Sequence, residues 1–136
     1  MNDWFILGII ALFLWGFWGF FPKLATNYID PKSILIFQSI AGAVFAVVIL
    51  FSTNFKTATH TKGITFAFLS GLFGSMGSLL FLYSLSKGKA SIVVAMTALY
   101  PLVTILLAFL ILKEPITLKQ GIGLFLALIA IIFLSV

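Results

Sequence analysis

The sequence predicts an all-α integral membrane protein of five transmembrane helices, together forming one inverted-repeat half that dimerisation completes. Three observations predict it. Hydrophobic residues make up 62% of the 136 and charged residues only 8%, whereas soluble domains run near half and a quarter. The apolar residues fall into five continuous stretches, each long enough at about 1.5 Å per residue to cross a hydrocarbon core of about 30 Å. None alternates with period two, so helices rather than barrel strands must satisfy the backbone in lipid. An odd number of spans leaves the termini on opposite faces, so a second copy fused in tandem would be inverted. Many secondary transporters pair inverted repeats in this way around a midplane substrate site.

The first span, residues 3–22, has no basic n-region and is too long for a signal-peptide core, so it is expected to be retained. It carries Gly8, Ala11, Trp15, Trp18 and Pro22 at helical spacing. Trp4 and Trp18 suit the interfacial belts, while Trp15 lies deeper and can wall a pocket for an apolar or aromatic solute. The second span, residues 33–52, starts at an Asp30 N-cap followed by Pro31. Its Gln38 is the most polar side chain within a span and is costly against lipid, so it should face the bundle, for an interhelical hydrogen bond or for substrate.

On the third span, residues 63–85, Ala67, Gly71, Gly74 and Ser78 follow one another at helical spacing, overlapped by a stripe of Ser70, Gly74 and Gly77. Such faces either pack helices closely or leave a cavity or sliding surface. Lys87 and Gly88 end the span with a cation in the last turn and a C′ glycine. In the fourth span, residues 90–112, Pro101 cannot donate a hydrogen bond and crowds the Thr97 carbonyl. A kink is expected there, purely structural or as a hinge lining a path with Thr97, Tyr100 and Thr104. Pro115 stops that span, and Thr117 with Gln120 has capping-box spacing at the start of the fifth, residues 118–136. The loop of residues 53–62 is the longest connection, no internal repeat is evident, and residues 1–136 read as a single domain.

The net charge of +5 comes from eight lysines against three acids, all eight in loops or at helix ends. They read as interfacial anchors, and no basic patch for nucleic acid exists. Alternate threading puts Lys23, Lys32, Lys87 and Lys89 on one side and Lys56, Lys62, Lys113 and Lys119 on the other. Orientation follows a lysine and arginine excess, and here the sides tie, apart from the amino terminus and His60. Insertion in both orientations and an antiparallel pair are expected.

The absence of cysteine excludes disulfides and thiolate metal sites. A lone histidine in a loop, with no nucleophile and base pair, leaves no metal, cofactor or enzyme to expect. No ionisable residue sits at the centre of a span, the usual mark of a proton relay. Asp3, Asp30 and Glu114 all lie near span ends. Glu114 beside Lys113 makes either a solvated pair or a tie to the next helix or the partner protomer.

The run from Ser78 to Leu134 resembles the EamA domain of the drug/metabolite transporter superfamily. The matching elements are Lys87-Gly88-Lys89-Ala90-Ser91, Tyr100-Pro101-Leu102, and Leu112-Lys113-Glu114-Pro115-Ile116-Thr117 leading to Gly121. Trp15-Gly16 is similar to the family's early Trp-Gly. Members usually carry two such domains in tandem and move small metabolites through a pathway between them, lined mainly by the first four helices of each. The resemblance implies that Trp15, Gln38, Ser78, Thr97, Tyr100 and Pro101 lie near that path. Relatives often have an arginine near the place of Gln38, which removes the expectation of an anion site. The small multidrug exporters of the superfamily carry a membrane glutamate in their first helix, absent here.

The expected function is a secondary transporter, an exporter of small metabolites or other organic solutes across the cytoplasmic membrane. It would alternate access as an antiparallel dimer. Trp15, Gln38, Ser78, Thr97, Tyr100 and Thr104 are the expected substrate contacts, and Gly71, Gly74, Gly77 and Pro101 the hinge and packing positions. The alternatives are a half-transporter needing a related partner chain, and a membrane subunit that carries no solute.

Overall fold

Long apolar runs with caps at their ends fold as expected, into helices. The computed structural model describes residues 3–135. These form α1 (Asp3–Ala25), α2 (Pro31–Ser52), α3 (Thr61–Lys87), α4 (Ala90–Thr97), α5 (Tyr100–Leu107), a π-helical turn (Ala108–Leu112) and α6 (Leu118–Ser135), with no strand among them. Four segments are long and apolar enough to cross a membrane: α1, α2, α3 and the run Ala90–Leu112. The apolar part of α6, Leu118–Ala130, is shorter. The protein is a multi-pass membrane protein.

Boundaries follow local chemistry. Asp30, in extended backbone, accepts from the N–H groups of Lys32 at 3.0 Å and Ser33 at 3.1 Å, and Pro31 starts α2. These capping bonds start α2 two residues before residue 33. Helix α1 runs past Pro22, whose carbonyl accepts from Thr26 N–H at 2.9 Å. A proline here removes one bond without ending the helix. At the start of α6 the capping box closes: Gln120 N–H donates to Thr117 Oγ1 at 3.3 Å, and Thr117 N–H donates to Gln120 Oε1 at 2.9 Å.

Two expectations need correction. Gly88 does not take the left-handed cap conformation, since no described glycine has a positive φ. The chain instead passes directly into Lys89, which is extended at φ −70°, ψ 133° and serves as the N-cap of α4. The left-handed cap falls at Lys113, with φ 55°, where the π-helical turn ends. Its N–H reaches back to Ala108 O, and Glu114 N–H donates to the same oxygen at 3.3 Å. Both donors are spent on this reversal ahead of Pro115. The fourth span is also more than kinked: α4 ends at Thr97 and α5 begins at Tyr100, with Leu99 N–H donating to Met96 O at 3.3 Å and Leu102 N–H to Leu99 O at 3.0 Å. These are tight three-residue bonds, placed where Pro101 cannot supply the next donor.

The chain divides into two compact units at Lys87 and Gly88. In the first, α3 packs against both α1 and α2. In the second, α4 packs against α6.

Candidate functional site

The apolar residues of the first unit are mostly exposed, as lipid-facing side chains would be, and its buried residues gather at one end. Pro22 of α1, Ile34 of α2, and Leu82 and Leu85 of α3 are buried; Leu82 and Leu85 are 1% and 0% exposed. All four lie in the turns nearest the α1–α2 connection, the end that carries Lys23, Lys32 and Lys87. There Trp18 stacks on Phe81, ring centroids 5.6 Å apart and 10° from parallel. Trp18 is therefore a packing residue between α1 and α3, rather than only a member of an interfacial belt.

Lys23 departs further from expectation. Its half-buried side chain donates from Nζ to Leu85 O at 2.7 Å, across 62 residues of sequence. The last carbonyls of a helix lack intrahelical partners and carry its negative pole, so an ammonium here satisfies an acceptor and a dipole together. Nothing in composition pointed to this bond. The usable signal was Lys23 following Pro22 at the end of α1, on the same side of the membrane as the end of α3.

One helical turn inward from this closed end stand two of the expected contacts. Gln38 is four residues beyond Ile34 and Ser78 four before Leu82, so each shares the face of its buried neighbour, and both are half-buried. Trp15 lies seven residues before Pro22 and three before Trp18, but is 64% exposed. Farther along, the helices leave space. A methyl group added at Gly71, Gly74 or Gly77 would meet nothing within 4 Å, so within its unit this stripe packs against no other helix.

In the second unit, Thr97, Tyr100, Pro101 and Thr104 surround the break between α4 and α5. All four are exposed. Thr97 Oγ1 donates to Val93 O at 2.9 Å and lies 3.1 Å from Val94 O; Thr104 Oγ1 is 3.5 Å from Tyr100 O. Hydroxyls bound back to their own helix soften and bend it, so Thr97 supports the break while its oxygen keeps its acceptor lone pairs. A groove of about 370 Å³ opens between the π-helical turn and the start of α6, lined by Ile105, Phe109, Glu114, Pro115, Gln120 and Leu124 among others. None of the expected substrate contacts lines it. Phe109 and Leu124 carried no polar or small-residue signal that sequence could have read as a site.

Outside the spans, the Asp30 carboxyl is held below the ordinary carboxylate range, first by the Ser33 hydroxyl and then by the Ser33 N–H. Among the described residues no group of three or more His, Cys, Asp or Glu could hold a metal ion.

Comparison with known proteins places this architecture. The model of the EamA-like transporter family matches residues 2–136. The chain belongs to the EamA-like transporter family. This EamA chain is 38% identical to an uncharacterised protein of Methanocaldococcus jannaschii over 136 residues, covering 100% of the chain and 98% of that protein. It is 26% identical to an uncharacterised transporter of Archaeoglobus fulgidus, over 99% of the chain but 48% of the relative. It is 29% identical to an uncharacterised transporter of Bacillus subtilis, over 81% of the chain and 37% of the relative. The EamA chain thus spans about half or less of the two relatives named as transporters. No solved structure matches it. Membership gives the protein a transporter role, with a small-molecule solute and a lipid environment.

Proposed function

We propose that this chain is a secondary transporter that exports small metabolites or other organic solutes across the cytoplasmic membrane, alternating access as an antiparallel dimer. One observation carries the reading: the model of a transporter family matches residues 2–136. In this reading a second copy, inverted relative to the first, faces it across the pathway. The tie of four lysines against four supports it, because a chain without orientational bias can provide both members of an inverted pair.

In this reading the solute contacts are polar and uncharged: Trp15, Gln38 and Ser78 in the first unit, and Thr97, Tyr100 and Thr104 in the second. Gly71, Gly74 and Gly77 on α3 leave room for a neighbouring helix to slide, and Pro101 acts as the hinge. With no ionisable group at mid-membrane, facilitated diffusion or coupling through the solute itself replaces a buried proton carrier.

The test is a flux screen over a metabolite library in liposomes containing this chain alone, with single cysteines introduced into the cysteine-free background for cross-linking. Solute movement together with antiparallel cross-links is the expected outcome. A membrane subunit that carries no solute gives no flux in any condition. A half-transporter gives flux only when a related chain is added.

A further inference from the structure

The first unit is closed at one end and open at the other, and the closure has identifiable parts. At the Lys23 end, Pro22, Ile34, Leu82 and Leu85 are buried, Trp18 stacks on Phe81 at 5.6 Å, and Lys23 Nζ donates to Leu85 O at 2.7 Å. At the opposite end, which carries Lys56 and Lys62, the picture reverses. Residues 3–10 of α1, 39–49 of α2 and 61–77 of α3 are all exposed.

We propose that Lys23 is a latch: its ammonium, bound to the Leu85 carbonyl at the end of α3, holds the Lys23 end of α1 and α3 shut while the Lys62 end stands open. The inference rests on the alternating-access reading above and names the contact that must break for access to change sides. The chemistry suits a latch better than a permanent staple. The Trp18–Phe81 stack and the buried leucines can slide or repack, because dispersion contacts are numerous and individually weak. A charged donor on a helix-end carbonyl is directional and has two well-separated states, made or broken. When broken, the long lysine stem lets the ammonium reach the interfacial region, so the open state leaves no charge stranded in hydrocarbon. Helix α1 also ends within three residues of Pro22, so its terminal turn can tilt with little loss of backbone bonding.

Paired spin labels in the cysteine-free chain read both ends at once, with labelled protein diluted in unlabelled so that only distances within one protomer are seen. One pair, Asn27→Cys with Ser86→Cys, reports the Lys23 end; the other, Phe5→Cys with Ile64→Cys, reports the Lys62 end. Lys23→Met keeps the apolar stem and removes the donor. It is expected to lengthen the first distance and shorten the second, raising the population open at the Lys23 end roughly tenfold, the low end of what loss of a charged hydrogen bond does to an equilibrium. Solute flux should change with it, and Lys23→Arg should restore both. Unchanged distances in Lys23→Met beside normal wild-type flux overturn the latch and leave the transport reading standing. Both distances broadening together, with a lower melting temperature, also overturn it, because Lys23 would then only hold the fold. A wild type without flux for any solute overturns the transport reading and the latch with it.

Discussion

In the first unit three helices of 23, 22 and 27 residues run without interruption and are pinned by side chains at one end. In the second, the run of residues 90–112 changes geometry twice, at the turn of residues 98–99 and at the π-helical turn of residues 108–112, before reversing at a left-handed Lys113. The first unit is therefore held by side-chain contacts between uninterrupted helices. In the second, a missing donor at Pro101 and a π-helical turn divide the backbone of one span into shorter pieces. Substitutions should tell them apart.

The largest effect is expected from the closed end. Leu85 is fully buried, so Leu85→Ala opens a cavity and should cost about 2–5 kcal/mol, read as a drop in thermal stability in detergent. The same truncation at Leu106, 56% exposed in the second unit, should cost well under half as much. Equal losses at the two positions would erase the contrast in packing between the units.

Next comes the joint. Pro101→Ala supplies the N–H that the Thr97 carbonyl lacks and should join α4 to α5 as one helix; in the first turn of α5 the proline itself is tolerated, so the gain in stability should be small. Stability should hold or rise while flux falls several-fold, because a straight helix favours one access state. Flux unchanged with stability raised would make the break a packing feature alone.

Much of this contrast was legible in the sequence, and the residues show where legibility stops. Spans, caps and the trouble at Pro101 were readable because each follows from local rules: apolar run length, Asp30 before Pro31, Thr117 three residues before Gln120. The π-helical turn was not, since residues 108–112 are Ala-Phe-Leu-Ile-Leu, an ordinary helical run whose geometry is set by the reversal at Lys113. Gly88 misled for the converse reason. Glycine permits the left-handed conformation without demanding it, and the short passage into α4 needed an extended Lys89 instead. Gln38 and Ser78 drew notice because polarity within a span is conspicuous, and the structure leaves both half-buried. Lys23 on Leu85 was missed because it pairs positions 62 residues apart, and no local rule reaches that far.

The caps sharpen the comparison at smaller scale. In the second unit, Gln120 accepts from both the N–H and the hydroxyl of Thr117, each at 2.9 Å. Gln120→Ala should cost about 1 kcal/mol, and because Gln120 also borders the groove it should loosen the reversal at Lys113. Amide hydrogen exchange over residues 113–121 measures it: faster exchange there, with the first unit unaffected, is the expected result. Exchange accelerating throughout the chain would mean that this cap supports both units.

The smallest effect separates the two caps by pH. The α6 cap is uncharged and has nothing to titrate near neutrality, whereas the α2 cap is the Asp30 carboxylate, lowered chiefly by the Ser33 hydroxyl at 2.5 Å. A carboxyl whose folded pKa lies below its unfolded value, ordinarily about 3.9, contributes stability that is complete above that unfolded value. The contribution is lost as pH falls through the folded value. Between pH 5 and 8 Asp30 should therefore add no slope, and below about pH 4 the first unit alone should weaken. Asp30→Asn keeps a competent cap but removes the titration. The gap in melting temperature between wild type and Asp30→Asn should stay constant above pH 5 and narrow as the wild-type carboxylate is protonated. Because Asp30 is exposed to solvent, screening keeps the gap small, so it is best read by exchange at the first-turn amides of Lys32 and Ser33. If those amides exchange with the same pH dependence in both proteins, the cap at the closed end is held by geometry rather than charge, and the two units differ only in their helices.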